Sequence, residues 1–202
     1  MRRGSSFLGP KLAYSADRPK AEAAARRPCL SEAQAARFRA LILPHLDAAY
    51  SLARFLSRNP VAAEDIVQDA FLRAFRAFPG FYGQSPKAWL FAIVRNCVFD
   101  WAKANRDTGA VMNETLSQYE ETPEALVGQD QEDHIVRTTV ENLPEPFRET
   151  LVLRELEELS YKEIATLTEV PIGTVMSRLA RAREMLAKLL LPLRDQNREA
   201  GL

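Results

Sequence analysis

The sequence predicts an all-α protein built as two helical domains joined by an acidic linker. Three observations carry this. Apolar residues recur at helical spacing over most of residues 31–191, between breaks made by proline, glycine and capping residues. No stretch alternates apolar and polar residues with the period of two that a half-buried strand needs. The helical pattern fails between 107 and 130, where acidic and polar residues surround Gly109, Pro123 and Gly128.

Taken in order, residues 1–30 are rich in Arg, Ala, Pro and Ser without sustained periodicity, and a mobile tail is expected. Ser31 starts the first ordered helix, because its hydroxyl can cap the helix while Gln34 reaches back in a capping box. Helical spacing continues to about Ser57, divided or kinked at Pro44. Asn59-Pro60 closes that element and opens the next, over about 61–78, which Pro79-Gly80 stops. Residues 81–84 form a loop, and Ser85-Pro86 caps a helix reaching about Asn105. These elements make a first domain over 31–106, followed by the linker over 107–130. The second domain, 131–202, reads as helices at about 131–142, 145–156, 160–168 and 172–191. Its breaks are Leu143-Pro144, Glu158-Leu159 and Val170-Pro171. No internal repeat is evident, and no third domain is expected after Leu202.

Composition narrows the function. The chain has 202 residues, enough to bury a core, and no apolar run approaches the roughly 18 residues of a membrane span. Arg2, Arg3 and Lys11 have no apolar block behind them, so no secretory signal is expected. Cys29 and Cys97 cannot build a disulfide framework, and His45 and His134 are too few for a zinc cluster. A soluble protein of the reducing cytoplasm is expected.

The net charge of +0 conceals a segregation. Residues 1–37 carry 8 basic and 3 acidic side chains, and 38–106 carry 9 and 5. Residues 107–137 carry 1 and 8, 138–169 carry 3 and 8, and 170–202 carry 6 and 3. Alternating basic and acidic stretches suit a nucleic-acid binder whose overall charge says nothing of it.

Three helices carry most of the information. On a wheel of the 61–78 helix, Ile66, Val67, Ala70, Phe71, Ala74, Phe75 and Phe78 share a core-forming face. Asp65, Gln68, Asp69, Leu72, Arg73 and Arg76 share the opposite one. A leucine framed by charges is either a docking spot for another protein or an ordinary exposed leucine. In the helix from 86, Trp89, Leu90, Ile93, Val94, Cys97, Val98 and Trp101 fall on a core arc. The other arc holds Arg95, Asn96, Phe99 and Lys103. Cations and an amide around an exposed ring suit unstacked bases, unless Phe99 packs on the linker or a neighbouring helix.

Between Leu159 and Leu186, Ser160 and Glu163 form a second capping box opening a short helix with Ile164, Ala165 and Leu167 inward. A tight turn over 168–171 leads to a helix with Val175, Leu179, Ala182 and Leu186 inward. This is a helix-turn-helix, or an αα-hairpin with a solvated basic face. The outward face presents Thr174, Ser177, Arg178, Arg181 and Lys188, where hydroxyls and helix N-terminal amides can hold phosphates and arginine can pair with guanine.

The arrangement as a whole resembles the sigma-70 family of bacterial RNA polymerase initiation factors, in particular its small extracytoplasmic-function (group 4) class. Residues 63–75, Ala-Glu-Asp-Ile-Val-Gln-Asp-Ala-Phe-Leu-Arg-Ala-Phe, are similar to the region 2.2 helix that docks on the polymerase β′ clamp. Residues 88–96, Ala-Trp-Leu-Phe-Ala-Ile-Val-Arg-Asn, resemble regions 2.3–2.4, which bind the −10 element. Residues 143–148 with 151–153 look like region 4.1, and 159–165 with 172–183 like region 4.2, the −35 reader. The likeness spans roughly 35–190 with four motifs in order. It departs at Thr168-Glu169, where many members place Leu-Gly; a positive φ at Glu169 would cost roughly 1 kcal/mol relative to glycine. It departs again at Met176, where some members carry a basic residue.

The resemblance implies a cytoplasmic, stress-response type of sigma factor with no catalytic residue, no metal and no cofactor. Its implied partners are core RNA polymerase, through the β′ clamp and β subunits, promoter DNA and an anti-sigma factor, without membrane insertion. Asp65, Gln68, Asp69, Leu72 and Arg76 are then the polymerase-binding residues. Phe81, Tyr82, Gln84, Ser85, Arg95, Asn96, Phe99 and Lys103 bind the −10 strand, the loop and Asn96 holding a flipped base. Gly173, Thr174, Ser177, Arg178, Arg181, Arg183 and Lys188 bind the −35 duplex. The acidic 107–137 stretch either mimics nucleic acid in a polymerase channel or is a solvated tether. A sigma-like decoy that sequesters an anti-sigma factor is disfavoured by intact Arg178 and Arg181, and a stand-alone helix-turn-helix regulator by the region 2 motifs. An enzyme is least favoured, since no nucleophile–base pair or glycine-rich phosphate loop is present.

Overall fold

Caps and breakers in the chain set where each helix begins. In a computed structural model, which describes residues 31–83, 85–107 and 129–199, eight α-helices follow one another and no strand occurs among the described residues. The tail over 1–30 and most of the expected linker lie outside the described residues; the flanking helices run through Asp107 and from Gln129.

Helix α1 (Glu32–Leu41) starts in the expected capping box: Ser31 Oγ accepts the Gln34 N–H at 3.2 Å, and Gln34 Oε1 accepts the Ser31 N–H at 3.0 Å. Pro44 divides the next stretch, as a 3₁₀ turn over Leu43–His45 before α2 (Leu46–Ser57). Asn59 Oδ1 accepts the Ala62 N–H at 3.0 Å and Pro60 opens α3 (Pro60–Ala77). A 3₁₀ turn over Phe78–Gly80 ends it, and α4 (Pro86–Asp107) follows.

These four helices pack around Ile42, Leu52, Ile66, Phe78, Leu90 and Val94, all nearly devoid of solvent contact. Burying each such side chain contributes about 1.5–3 kcal/mol. Phe71, Trp89, Ile93 and Trp101 flank this core half-buried. Phe75 was expected inside and is 37% exposed, its ring meeting that of Phe38 edge to face with centroids 5.3 Å apart. Cys97 is buried, which lifts its thiol to about 11 and makes it a poor nucleophile.

The second unit comprises α5 (Gln129–Glu141), α6 (Glu145–Leu151), α7 (Tyr161–Thr168) and α8 (Ile172–Glu199). Arg148 is buried and ties the end of α5, its Nη1 donating to the Glu141 and Leu143 carbonyls at 3.0 and 2.7 Å. Helix α6 does not stop at Leu151 but widens into a π turn over Val152–Leu156, in which the Glu157 N–H reaches back to the Val152 carbonyl at 3.1 Å. The second capping box forms at Ser160 and Glu163 and opens α7. Glu169 ends α7 with φ 57°, ψ 36°, the left-handed geometry that a glycine takes more easily. The Val175, Leu179 and Ala182 face of α8 then packs on α6 and α7.

The units touch. Helix α2 packs on α6 and α4 on α7, and the buried apolar residues of both units form one cluster. No helix among the described residues is long and apolar enough to cross a membrane.

Replacing Glu169 by Gly removes the Cβ crowding of the left-handed cap. The variant is expected to gain about 1 kcal/mol and to raise Tm by about 2–4 °C in a thermal denaturation scan.

Candidate nucleic-acid and protein interfaces

Three surfaces collect the residues singled out by sequence. The first is the outer face of α3. Asp65, Gln68 and Arg76 are exposed there, and Leu72 is 51% exposed at its centre. Asp69 differs from these: it pairs with Arg73 at 2.7 Å, and Arg73 also reaches Asp100 of α4 at 2.6 Å. Hydrogen bonding to Asp100, and secondarily to Asp69, holds the Arg73 guanidinium above its usual range. Beside this face lies an open groove whose rim includes Leu46, Asp47, Tyr50, Glu64, Asp65 and Gln68.

The second surface is the loop before α4 and the helix itself. Tyr82 is 84% exposed and Asn96 and Lys103 face solvent. Phe81, expected to meet a base, is 3% exposed and belongs to the core: its ring stacks on Phe78 at 5.9 Å and lies 4.8 Å from Trp89. The apolar enclosure offered by these rings outweighs exposure for a side chain with no polar atom. Gly83 lets the loop pass that ring, since a Cβ there would sit 2.9 Å from Phe81. Gln84 lies outside the described residues. The Arg95 guanidinium stacks over Phe99 at 4.5 Å, and Phe99 keeps 37% of its surface exposed.

Ser85 and Arg95 are not free on this surface. Ser85 Oγ donates to Glu163 Oε1 at 2.7 Å, and Arg95 Nε to Glu149 Oε1 at 2.6 Å, both carboxylates belonging to the second unit. Lys87 follows the same pattern, its Nζ lying 2.9 Å from the Glu157 carboxylate and donating to the Glu157 carbonyl at 2.7 Å. Sequence reasoning overlooked Lys87, Glu149 and Glu157. The signal available for them was the basic balance of 38–106 against the acidic balance of 138–169.

The third surface is the start of α8. Gly173 has open space where a Cβ would project, Arg181 is exposed, and Thr174 and Arg178 are half-buried. Ser177 Oγ donates to the Thr174 carbonyl at 3.0 Å, turning its hydroxyl along the helix. Arg183 Nε and Nη2 both reach Glu155 Oε1, at 3.1 and 2.5 Å, and Lys188 pairs with Glu184 at 2.7 Å. These two cations are held by carboxylates of their own unit. Such exposed pairs are weak enough to exchange for a phosphate.

Family models match both halves of the chain: sigma-70 region 2 over residues 41–108 and sigma-70 region 4 over 133–186. Among relatives, an ECF RNA polymerase sigma-E factor of Haemophilus influenzae is 36% identical over 157 residues, covering 70% of this chain and 80% of the relative. An RNA polymerase sigma-H factor of Pseudomonas aeruginosa is 38% identical over 143 residues, covering 65% and 74%. Among solved structures, the sigma factor RpoE in complex with the anti-sigma factor NepR from Bartonella quintana superimposes with a TM-score of 0.65 at 30% identity, over 76% of this chain and 96% of that one. CnrH in complex with the cytosolic domain of CnrY gives 0.56 at 26% identity, over 77% and 88%.

Hydrogen bonds from Ser160 and then Ser85 hold the Glu163 carboxyl below the usual carboxylate range. A depressed folded-state pKa stabilises above the unfolded value, about 4.3, and the contribution disappears as pH falls through the folded value. The Tm gap between the unchanged chain and Glu163→Gln is therefore expected to be widest above about pH 5 and to close on acidification, read from melts across that range.

Proposed function

The chain belongs to the sigma-70 family of transcription-initiation factors, and from that premise we propose how its three surfaces divide the work of promoter-specific initiation. The outer face of α3, with Asp65, Gln68, Leu72 and Arg76, docks on the β′ clamp of core RNA polymerase. The α4 surface, with Tyr82, Ser85, Arg95, Asn96, Phe99 and Lys103, binds the melted −10 strand. The start of α8, with Gly173, Thr174, Ser177, Arg178 and Arg181, reads the −35 duplex in the major groove, Arg183 and Lys188 adding phosphate contacts. Asp69 serves mainly to fix Arg73, and Phe81 supports the loop from beneath instead of stacking on a base.

The observation that carries this reading is Arg181, exposed on α8 nine residues past Ile172, in the helix that follows the tight turn after α7. An arginine so placed can pair bidentately with guanine, while amides and hydroxyls of the first turn hold phosphate. Asn96 adds a base-edge partner on α4, where extruding a base costs a few kcal/mol that stacking and hydrogen bonds must offset. Sigma factors are non-catalytic, and in this reading the polymerase performs all the chemistry in the cytoplasm. One structural neighbour is a sigma factor bound to an anti-sigma factor, and another, CnrH, is bound to the cytosolic domain of CnrY; the first supports an anti-sigma partner here.

Transcription in vitro with purified core polymerase on a promoter library tests the whole reading. Selective initiation dependent on this chain is expected; binding of a regulator without initiation would favour a sigma-like decoy.

Three variants test the parts. Leu72→Glu, on a surface where no cavity or buried charge arises, is expected to leave Tm unchanged while weakening core-polymerase binding in a pull-down titration. Arg181→Ala is expected to lose about 1–3 kcal/mol of −35 affinity and to relax preference at one base pair. Arg178→Ala should instead weaken all sequences alike and lower the salt slope, as measured on a panel of −35 substitutions.

A further inference from the structure

Three donors on α4 and the loop before it meet three carboxylates of the second unit: Ser85 meets Glu163, Lys87 meets Glu157 and Arg95 meets Glu149. Two of these carboxylates are nearly sealed from water, the Glu149 side chain being 6% exposed and that of Glu157 5%. A carboxylate so buried is tolerated only against a cation with good hydrogen-bond geometry. The spacing follows the helix. Lys87 and Arg95 stand eight residues apart, about 12 Å along the axis, and each lies over the ring four residues on, Phe91 or Phe99.

A carboxylate and a phosphodiester oxygen ask the same thing of these donors: a short, charge-assisted hydrogen bond. Every donor in the row already holds an anionic oxygen, and two of the three, Ser85 and Arg95, belong to the surface assigned above to the −10 strand. We propose that Ser85, Lys87 and Arg95 form one phosphate track for the −10 strand, with Lys87 a strand-binding residue in its own right. Glu149, Glu157 and Glu163 occupy that track when the two units are packed together. Strand binding and the packed arrangement therefore exclude one another. This rests on reading α4 as the −10 surface.

The test uses fluorescence anisotropy with a single-stranded −10 oligonucleotide, its sequence taken from the promoters that the holoenzyme selects in vitro. In the holoenzyme, Lys87→Ala removes one phosphate contact. The slope of log affinity against log salt should flatten by about 0.7, which amounts to about fivefold weaker binding near 0.1 M salt. Lys87→Arg should restore both. Unchanged affinity and slope for Lys87→Ala, or tighter binding, overturn the assignment, since a lysine serving only to hold the units together would not move the slope downward. In the free chain, Glu157→Gln and Glu149→Gln, each checked for an intact helical melt, should bind the oligonucleotide several-fold more tightly than the unchanged chain. Equal or weaker binding by both overturns the exclusion. Failure of the unchanged holoenzyme to bind the oligonucleotide would instead sink the reading of α4 itself.

Discussion

A carboxylate buried at an interface must find a cation, and the pairing of Glu149 with Arg95 is the point on which the arrangement of the two units turns. Removing one partner from such a pair typically costs about 3–5 kcal/mol, because the other is left charged and dry. Helix α4 bears this load as the hub of the molecule. It packs on α2 and α3 on one side and on α7 on the other, and it carries Lys87 and Arg95 toward the second unit. The helix that packs on the first unit thus also carries the cations that grip the second. Its electrostatics and its packing cannot be altered separately.

The aromatic cluster at the foot of α4 imposes a second constraint. Phe38, Phe78, Phe81 and Trp89 meet in a chain of edge and stacked contacts, with Arg37 over the Phe78 ring at 5.4 Å. Arg37 also donates to the Phe81 carbonyl at 3.3 Å. The loop that displays Tyr82 is consequently fastened at its root and open at its tip. In the reading proposed above a base-binding loop needs both properties, since a root without anchorage would have to be ordered at the moment of binding.

Local chemistry made much of this legible beforehand. Both capping boxes, the Asn59-Pro60 junction and the division at Pro44 involve residues within a few positions of one another, and each forms where the sequence implied. The exposure of Leu72, Asn96 and Arg181 followed from helical period alone. The partners of Arg95 and Lys87 did not, because Glu149 and Glu157 lie 54 and 70 residues away and no periodicity links them. Phe81 was misplaced for a related reason. A single aromatic in a four-residue loop has no period to betray its direction, and only the neighbouring rings of Phe78 and Trp89 decide it.

The π turn over Val152–Leu156 gives the second unit a property that side-chain chemistry does not express. A residue added to or taken from a helical stretch rotates all that follows by about 100° and shifts it by about 1.5 Å. Upstream of these five residues sits Glu149 against Arg95; downstream come Glu157 against Lys87, then α7 and α8. The angular phase between the grip on α4 and the exposed face of α8 is therefore set by a residue count. Substitutions along the turn leave that count intact, whereas a single insertion or deletion there would throw both surfaces out of step at once.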